Sequence, residues 1–249
     1  MKKNEQKENA IEVKNVSINY KLLDNIAGVA SVLKRQKDQK VFEAVKNVSF
    51  SVKEGGSLGM VGMNGCGKST LLRAIGGVFS PDSGTIDLKG HSVSLMSLGI
   101  GFKTDLSGRE NIILSGMLLG FTEQEILDKM ESIINFAELG DFIDRPIRTY
   151  SSGMHSKLAF SITAMLETDV MLIDEVLSVG DEKFKKKSLA KMEDLIGNKN
   201  RTAIIVSHNI TMLREMCDEI LWLHDGSVKE MGDTDEILSH YLAFMEDKW

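Results

Sequence analysis

The stretch Gly62-Met63-Asn64-Gly65-Cys66-Gly67-Lys68-Ser69-Thr70 decides the fold of this chain. It matches a phosphate-loop pattern, in which glycines let main-chain N–H groups converge on phosphate oxygens at the start of a helix. A short apolar run at 56–61 precedes the loop and a helical pattern at 69–75 follows it, which is the strand-to-helix context that the pattern requires. The sequence therefore predicts a nucleotide site, with a glycine-rich turn that binds nothing as the alternative.

Individual residues of this loop have distinct expected roles. Lys68 would reach the β- and γ-phosphates and stabilise charge during catalysis, and the hydroxyl of Ser69 would hold Mg²⁺. The residues expected to contact the nucleotide from the loop are Gly62, Asn64, Gly65, Cys66, Gly67, Lys68, Ser69 and Thr70.

Length and composition indicate a folded protein of a reducing cytosol. At 249 residues and 42% hydrophobic content, the chain can bury a substantial core, as one large α/β domain or a domain with an inserted lobe. The net charge of -6 predicts no binding of nucleic acid by bulk electrostatics. Cys66 and Cys217 are too few and too far apart for a disulfide framework. The N-terminal segment lacks the apolar core of a secretory signal, and no window approaches the ~20 apolar residues that cross a bilayer.

The spacing of apolar residues predicts a sheet that a helical lobe interrupts. Alternating or short buried runs predict strands at 11–20, 45–52, 56–61, 85–88, 92–95, 170–173, 203–206 and 220–223. Three- and four-residue spacing predicts helices at 109–119, 122–137, 153–167 and 234–245, with Thr122 as an N-cap and Glu125 three residues later. An amphipathic helix with a basic exit is expected at 22–40, either packed on the sheet or lying near anionic lipid headgroups.

Two strand ends carry side chains suited to phosphoryl transfer. The buried run at 170–173 ends in Asp174 and Glu175, and the strand at 202–207 ends just before His208. Because ligands of open α/β sheets collect at the carboxyl edge, Asp174 would complete the Mg²⁺ shell together with Ser69. Glu175 would polarise the attacking water, and His208 would contact the γ-phosphate. The alternatives are a solvated strand end and an ordinary polar residue at a strand end.

A further segment, Tyr150-Ser151-Ser152-Gly153-Met154, precedes a helical pattern. Its small residues and free N–H groups are typical of a helix N-terminus that binds an anion, and simple capping is the alternative. The order of five features resembles that of the nucleotide-binding domain of an ABC transporter. These features are the phosphate loop, this segment, the strand end at 174–175, the string Ser178-Val179-Gly180-Asp181 and His208. The resemblance extends over nearly the whole chain.

This resemblance implies a P-loop NTPase (RecA-like) α/β core with an antiparallel β subdomain, at 1–104 and 168–249, and an inserted α-helical subdomain at 105–167. It implies a head-to-tail homodimer with two ATP molecules between its halves. The segment with Ser151, Ser152 and Gly153 would cover the partner's ATP, and Asp181 would sit at the dimer seam. Tyr20 matches the position of the aromatic that stacks on adenine in the family, with an ordinary strand aromatic as the alternative.

Within that family, the strings at 97–102, 108–111, 150–154 and 174–181 resemble the ATPases of polysaccharide exporters, which move O-antigen, capsular or teichoic-acid chains. The helix at 22–40 also resembles an extra helix of these proteins. The resemblance implies ATP hydrolysis at the cytoplasmic face of the cell membrane, with separate transmembrane permease subunits and a lipid-linked glycan as cargo. Ser97 stands where most of the wider family has a glutamine, so the completion of the metal shell departs from the family pattern here.

Other classes of protein fit the sequence less well. A soluble ABC ATPase of translation or DNA repair usually has two such domains or long coiled-coil inserts, and neither occurs here. A GTPase switch would need an Asn-Lys-x-Asp string, which the sequence lacks. A binding module without catalysis would be expected to lack Lys68 or Glu175. The ATPase of an importer or a drug exporter differs only by the subfamily strings.

Overall fold

The computed structural model describes residues 8–21, 41–96, 101–174, 181–197 and 201–246. Three sequence predictions therefore lie outside the described residues: the helix at 22–40, the role of Ser97 and the role of Glu175. The strands are β1 (Asn9–Lys21), β2 (Val41–Lys53), β3 (Ser57–Val61), β4 (Ser83–Asp87), β5 (Val93–Met96), β6 (Val170–Asp174), β7 (Thr202–Val206), β8 (Glu219–His224) and β9 (Ser227–Asp233). The helices are α1 (Lys68–Ile75), α2 (Gly108–Leu118), α3 (Glu123–Ala137), α4 (Ser152–Met165), α5 (Glu182–Gly197), α6 (Ile210–Met216) and α7 (Thr234–Glu246).

The first sheet is antiparallel and has the strand order β2-β1-β4. Its central strand, β1, buries Ile11 and Val13 and then Val16 and Ile18, so the two-residue alternation shifts by one residue in between. The register with β2 shifts at the same place, where Asn15 has a φ of 49°. This bulge keeps both apolar pairs on the buried face, which strict alternation would not.

The second sheet has six strands in the order β5-β6-β7-β3-β8-β9. All neighbours are parallel except β8 and β9, which form an antiparallel pair at one edge. All five residues of β3 and of β7 are buried, as expected for central strands that are covered on both faces. The carboxyl ends of β3, β6 and β7 therefore lie at one edge of the sheet, where the candidate site forms.

Helices α2, α3 and α4 pack together around an apolar core of their own. Buried side chains at helical spacing, such as Ile126, Met130 and Ile133 of α3, face this core. The predicted N-cap at Thr122 is confirmed, because its hydroxyl accepts a hydrogen bond from the N–H of Glu125 and the Glu125 carboxylate accepts one from the N–H of Thr122. The two interactions form a capping box and fix the start of α3.

The remaining helices cover the six-stranded sheet. The predicted C-terminal helix is present as α7, which buries Ile237 and Leu238 and contacts β8 through Tyr241, whose ring centroid lies 5.4 Å from that of Trp222. Strand β9 was not predicted, since its residues are mostly half-buried and show no alternation. Among the described residues, we find no helix with the length and apolar character needed to cross a bilayer.

Candidate nucleotide-binding site

The connection from β3 to α1 is held in an unusual backbone conformation by its glycines. Gly62, Gly65 and Gly67 have φ values of 150°, 78° and 102°, which side-chain-bearing residues rarely adopt. Helix α1 begins at Lys68, and its N-cap residue Gly67 provides no side-chain hydrogen bond. The first N–H groups of α1 are therefore not capped by a side chain and can face an anion, with the positive end of the helix dipole behind them.

Two of these glycines are also required by close packing. A Cβ atom on Gly67 would lie 2.3 Å from the carbonyl oxygen of Ala44, and one on Gly62 would lie 2.2 Å from the carbonyl oxygen of Leu223. A Cβ atom on Gly65 would meet no atom within 4 Å. The loop thus packs against β8 at Gly62 and against β2 at Gly67, and there is free space beside Gly65.

We expect Gly67→Ala to lower the free energy of unfolding by about 2 to 4 kcal/mol, because a strained φ adds to an overlap with the backbone of β2. Gly65→Ala is the matched control, since it shares the positive φ but not the overlap, and should cost about 1 kcal/mol. Urea unfolding of both variants measures the difference. Equal stability of the two would contradict the packing described for Gly67.

Lys68 is a buried cation whose partners are neutral oxygens. Lys68 is only 7% exposed. Its Nζ donates to the carbonyl oxygens of Gly62 at 2.7 Å and Met63 at 3.1 Å. Within the described residues, no carboxylate forms an ion pair with Lys68. Because a buried charge is stabilised by an opposite charge, this ammonium group is well suited to bind a phosphate oxygen.

Ser69 and Asp174 come together although they are 105 residues apart in sequence. The Ser69 hydroxyl donates to Oδ1 of Asp174 at 3.1 Å. A hydroxyl and a carboxylate fit Mg²⁺, which takes one or two protein oxygens and fills its octahedral shell with phosphate oxygens and water. No cluster of three or more His, Cys, Asp or Glu residues that could hold a metal occurs in the described ranges. The pair suits a metal ion that also binds phosphate oxygens and water.

A cleft of about 230 Å³ lies over the loop. It is lined by Tyr20, Phe42, Ala44, Asn64, Gly65, Gly67, Lys68, Ser69, Thr70, Val206 and His208. The structure thus brings Tyr20 and His208 to the cleft over the phosphate loop, and the Tyr20 hydroxyl lies 3.3 Å from Oγ1 of Thr70. Phe42, Ala44 and Val206 were not predicted, and the pairing register of β1 with β2 is the signal that would have identified Phe42.

Other predicted residues lie apart from this cleft. Ser151 is the exposed N-cap of α4, where its hydroxyl accepts a hydrogen bond from the N–H of Met154, so the capping interpretation is observed. Ser152 and Gly153 start the same helix and do not line the cleft. Cys66 is buried, which raises the pKa of its thiol, and it would contact a nucleotide only through its backbone.

Asp181 makes its contacts within its own chain. One carboxylate oxygen accepts a hydrogen bond from Lys157 Nζ of α4 at 2.6 Å, and the other accepts one from the N–H of Phe184 at 2.9 Å. The hydrogen bond from Lys157, helped by that from Phe184, lowers the pKa of Asp181 to about 2. Asp181 is therefore ionised at neutral pH and joins the start of α5 to α4.

Comparison with known proteins places this geometry in context. A family model described as ABC transporter matches residues 45–178. The chain is 43% identical to an O-antigen export system ATP-binding protein RfbB of Myxococcus xanthus, over 84% of this chain and 48% of that protein. It is 41% identical to a teichoic acids export ATP-binding protein TagH of Bacillus anthracis, over 95% of this chain and 43% of that protein. The chain thus spans about half the length of these curated relatives.

Some other relatives are matched over most of their length. A TagH protein of Staphylococcus haemolyticus is 40% identical over 96% of this chain and 90% of its own length. Among solved structures, the chain is similar to a dimeric ATP-binding cassette in a post-hydrolysis state with ADP and Pi. The TM-score is 0.71 at 21% identity, and the match covers 90% of this chain and 98% of the other chain. At this identity the likeness supports the fold alone, and it confirms the P-loop α/β architecture that the sequence predicts.

Proposed function

The chain belongs to the ABC transporter family, and from that premise we propose that it is the ATP-hydrolysing subunit of an exporter of lipid-linked polysaccharide. The cargo would be a polymer of the O-antigen, teichoic-acid or capsule type. One observation carries the catalytic part of the proposal. A single cleft combines a phosphate loop, a buried lysine and the Ser69 hydroxyl, which donates to the carboxylate of Asp174, and phosphoryl transfer from Mg²⁺-ATP requires this set of groups.

Each group in the cleft has a separate task in this proposal. Lys68 neutralises charge on the β- and γ-phosphates, and the loop N–H groups hold the phosphates in position. Ser69 and Asp174 would hold Mg²⁺, which supplies charge neutralisation at the phosphate oxygens when bound. Glu175, the next residue after β6, would accept the proton of the attacking water. His208 at the rim of the cleft would contact the γ-phosphate.

We propose that two copies of the chain act as a pair with two ATP molecules between them. Ser151, Ser152 and Gly153 do not line the cleft of their own chain, so a role at ATP requires the cleft of a second copy. The N–H groups at the start of α4, apart from that of Met154, which Ser151 caps, would supply an anion site there. The ion pair of Asp181 with Lys157 connects α4 to the start of α5, so closure of one cleft would be transmitted to the other.

The names of the relatives support the cargo. The chain covers 90% of a staphylococcal protein named for teichoic acid export and 82% of a Klebsiella pneumoniae protein named for O-antigen export, at 40% and 42% identity. Both polymers are glycans that bacteria export, so the shared task would be to drive a separate transmembrane permease from the cytoplasmic face of the membrane. The same names favour glycan export over drug export or nutrient import, and no nucleic acid partner is proposed.

Deletion of the gene in its host tests the cargo. We expect the surface polymer to be lost and its lipid-linked precursor to accumulate on the cytoplasmic side of the membrane. A plasmid copy of the unmodified gene should restore the surface polymer, whereas a copy encoding Lys68→Met should not. Normal surface polymer in the deletion strain would contradict the proposed cargo, even if the purified chain hydrolysed ATP.

A further inference from the structure

We infer that Phe42 contacts the base of the bound nucleotide, where it forms a two-ring platform with Tyr20. This inference rests on the proposed function, because it requires that the cleft binds ATP. Phe42 follows the segment at 22–40 and has no role in the sequence patterns considered above. Its position in the fold supports the role.

The pairing of β1 with β2 places the two rings side by side. Tyr20 and Phe42 are direct partners in the antiparallel register, and direct partners project from the same face of a sheet. Both side chains line the cleft, and they are 43% and 48% exposed. Two exposed aromatic rings at the mouth of one cleft are an apolar surface that a flat ligand can cover.

The spacing of the pair favours a platform over a sandwich. Direct cross-strand partners have Cβ atoms about 5 Å apart. A base inserted between two rings would need them about 7 Å apart, because each face-to-face contact takes about 3.5 Å. The rings can therefore lie next to each other under one face of a purine, whose fused rings are wide enough to reach both.

The strand β2 also fixes the distance from this platform to the phosphate loop. Ala44 lies two residues after Phe42, where the register of β2 with β1 shifts, and it also lines the cleft. Its carbonyl oxygen packs so closely on Gly67 that a Cβ atom there would lie 2.3 Å away. Phe42 is thus only two residues of β2 away from the contact with the loop, and the small side chain of Ala44 leaves space for the ribose between the base and the phosphates.

Titration calorimetry with two Mg²⁺-bound probes tests the inference. The non-hydrolysable ATP analogue AMP-PNP has a base, whereas inorganic tripolyphosphate has none. We expect Phe42→Ala to weaken binding of AMP-PNP about 5- to 20-fold, toward the lower end of the range measured for base–aromatic stacking, and to leave tripolyphosphate binding unchanged. Phe42→Trp, which keeps an aromatic face, should retain the affinity of the unmodified chain for AMP-PNP.

Val41→Ala is the matched control, because Val41 is 58% exposed on the same strand, faces the opposite side and does not line the cleft. It should leave both affinities unchanged. If Phe42→Ala and the unmodified chain bound AMP-PNP equally well, Phe42 would have no role at the base. Equal weakening of both probes would also overturn the inference, because it would indicate damage to the loop. If the unmodified chain bound neither probe, the proposed function itself would be wrong.

Discussion

Replacing Lys68 with methionine should lower the rate of ATP hydrolysis at least 100-fold. The loss of a single preorganised charge-stabilising donor typically costs a factor of about 10² to 10³ in rate. Lys68 is buried under the loop, where its ammonium group now bonds to the carbonyl oxygens of Gly62 and Met63. Methionine has a similar unbranched stem, so the variant removes the charge and keeps most of the packing. Phosphate release from purified protein with Mg²⁺-ATP measures the effect.

Arg73→Met is the control for this change. Arg73 lies on the same helix, α1, but it is exposed and does not line the cleft. The variant removes the same amount of charge from the same helix, and its rate should match that of the unmodified chain. An unchanged rate for Lys68→Met would contradict the assignment of the phosphate site to this loop.

Replacing Glu175 should also lower the rate of ATP hydrolysis strongly. Glu175→Gln should lower the rate of hydrolysis about 10²- to 10⁴-fold, because glutamine cannot accept a proton from the attacking water. The loop, Lys68 and the Ser69–Asp174 pair are retained, so ATP should still bind. Bound ATP that is not hydrolysed should therefore hold two copies together, and the variant should accumulate as a nucleotide-loaded dimer.

Light scattering during size-exclusion chromatography measures this dimer, with and without ATP. Glu182→Gln is a suitable control, since Glu182 starts α5, is exposed and does not line the cleft. It should hydrolyse ATP normally and show no stable dimer. A Glu175→Gln variant that hydrolysed ATP at the normal rate, or stayed monomeric at saturating ATP, would contradict the proposed mechanism and pairing.

Much of the parallel sheet and its site could be predicted because local patterns determine them. Few other structures fit a buried apolar strand that ends in glycines and leads into a helix, and α1 begins at Lys68, one residue before the predicted start at 69. Ser69 and Asp174 are far apart in sequence, yet their proximity followed from the rule that parallel strands end at a common edge. The N-cap at Thr122 was predictable from residues three positions apart.

The features that were missed depend on pairing between distant segments. Strand β9 has no alternation of its own, and its place is set by its antiparallel pairing with β8. Phe42 could not be assigned to the cleft without the register that pairs it with Tyr20. The ion pair of Asp181 with Lys157 joins two helices whose packing no local pattern determines. Each of these features depends on a contact between distant segments, which the spacing of residues along the sequence does not reveal.

In the proposed mechanism, the loop between β3 and α1 binds the triphosphate of ATP. Calorimetric titration of the unmodified chain with Mg²⁺-AMP-PNP, as described for Phe42, measures this binding. We expect saturable binding of one nucleotide per chain, and a loss of that binding when Lys68 is replaced by methionine. If the folded, unmodified chain took up no nucleotide, or if the Lys68→Met variant bound it equally well, the loop would not be the phosphate site.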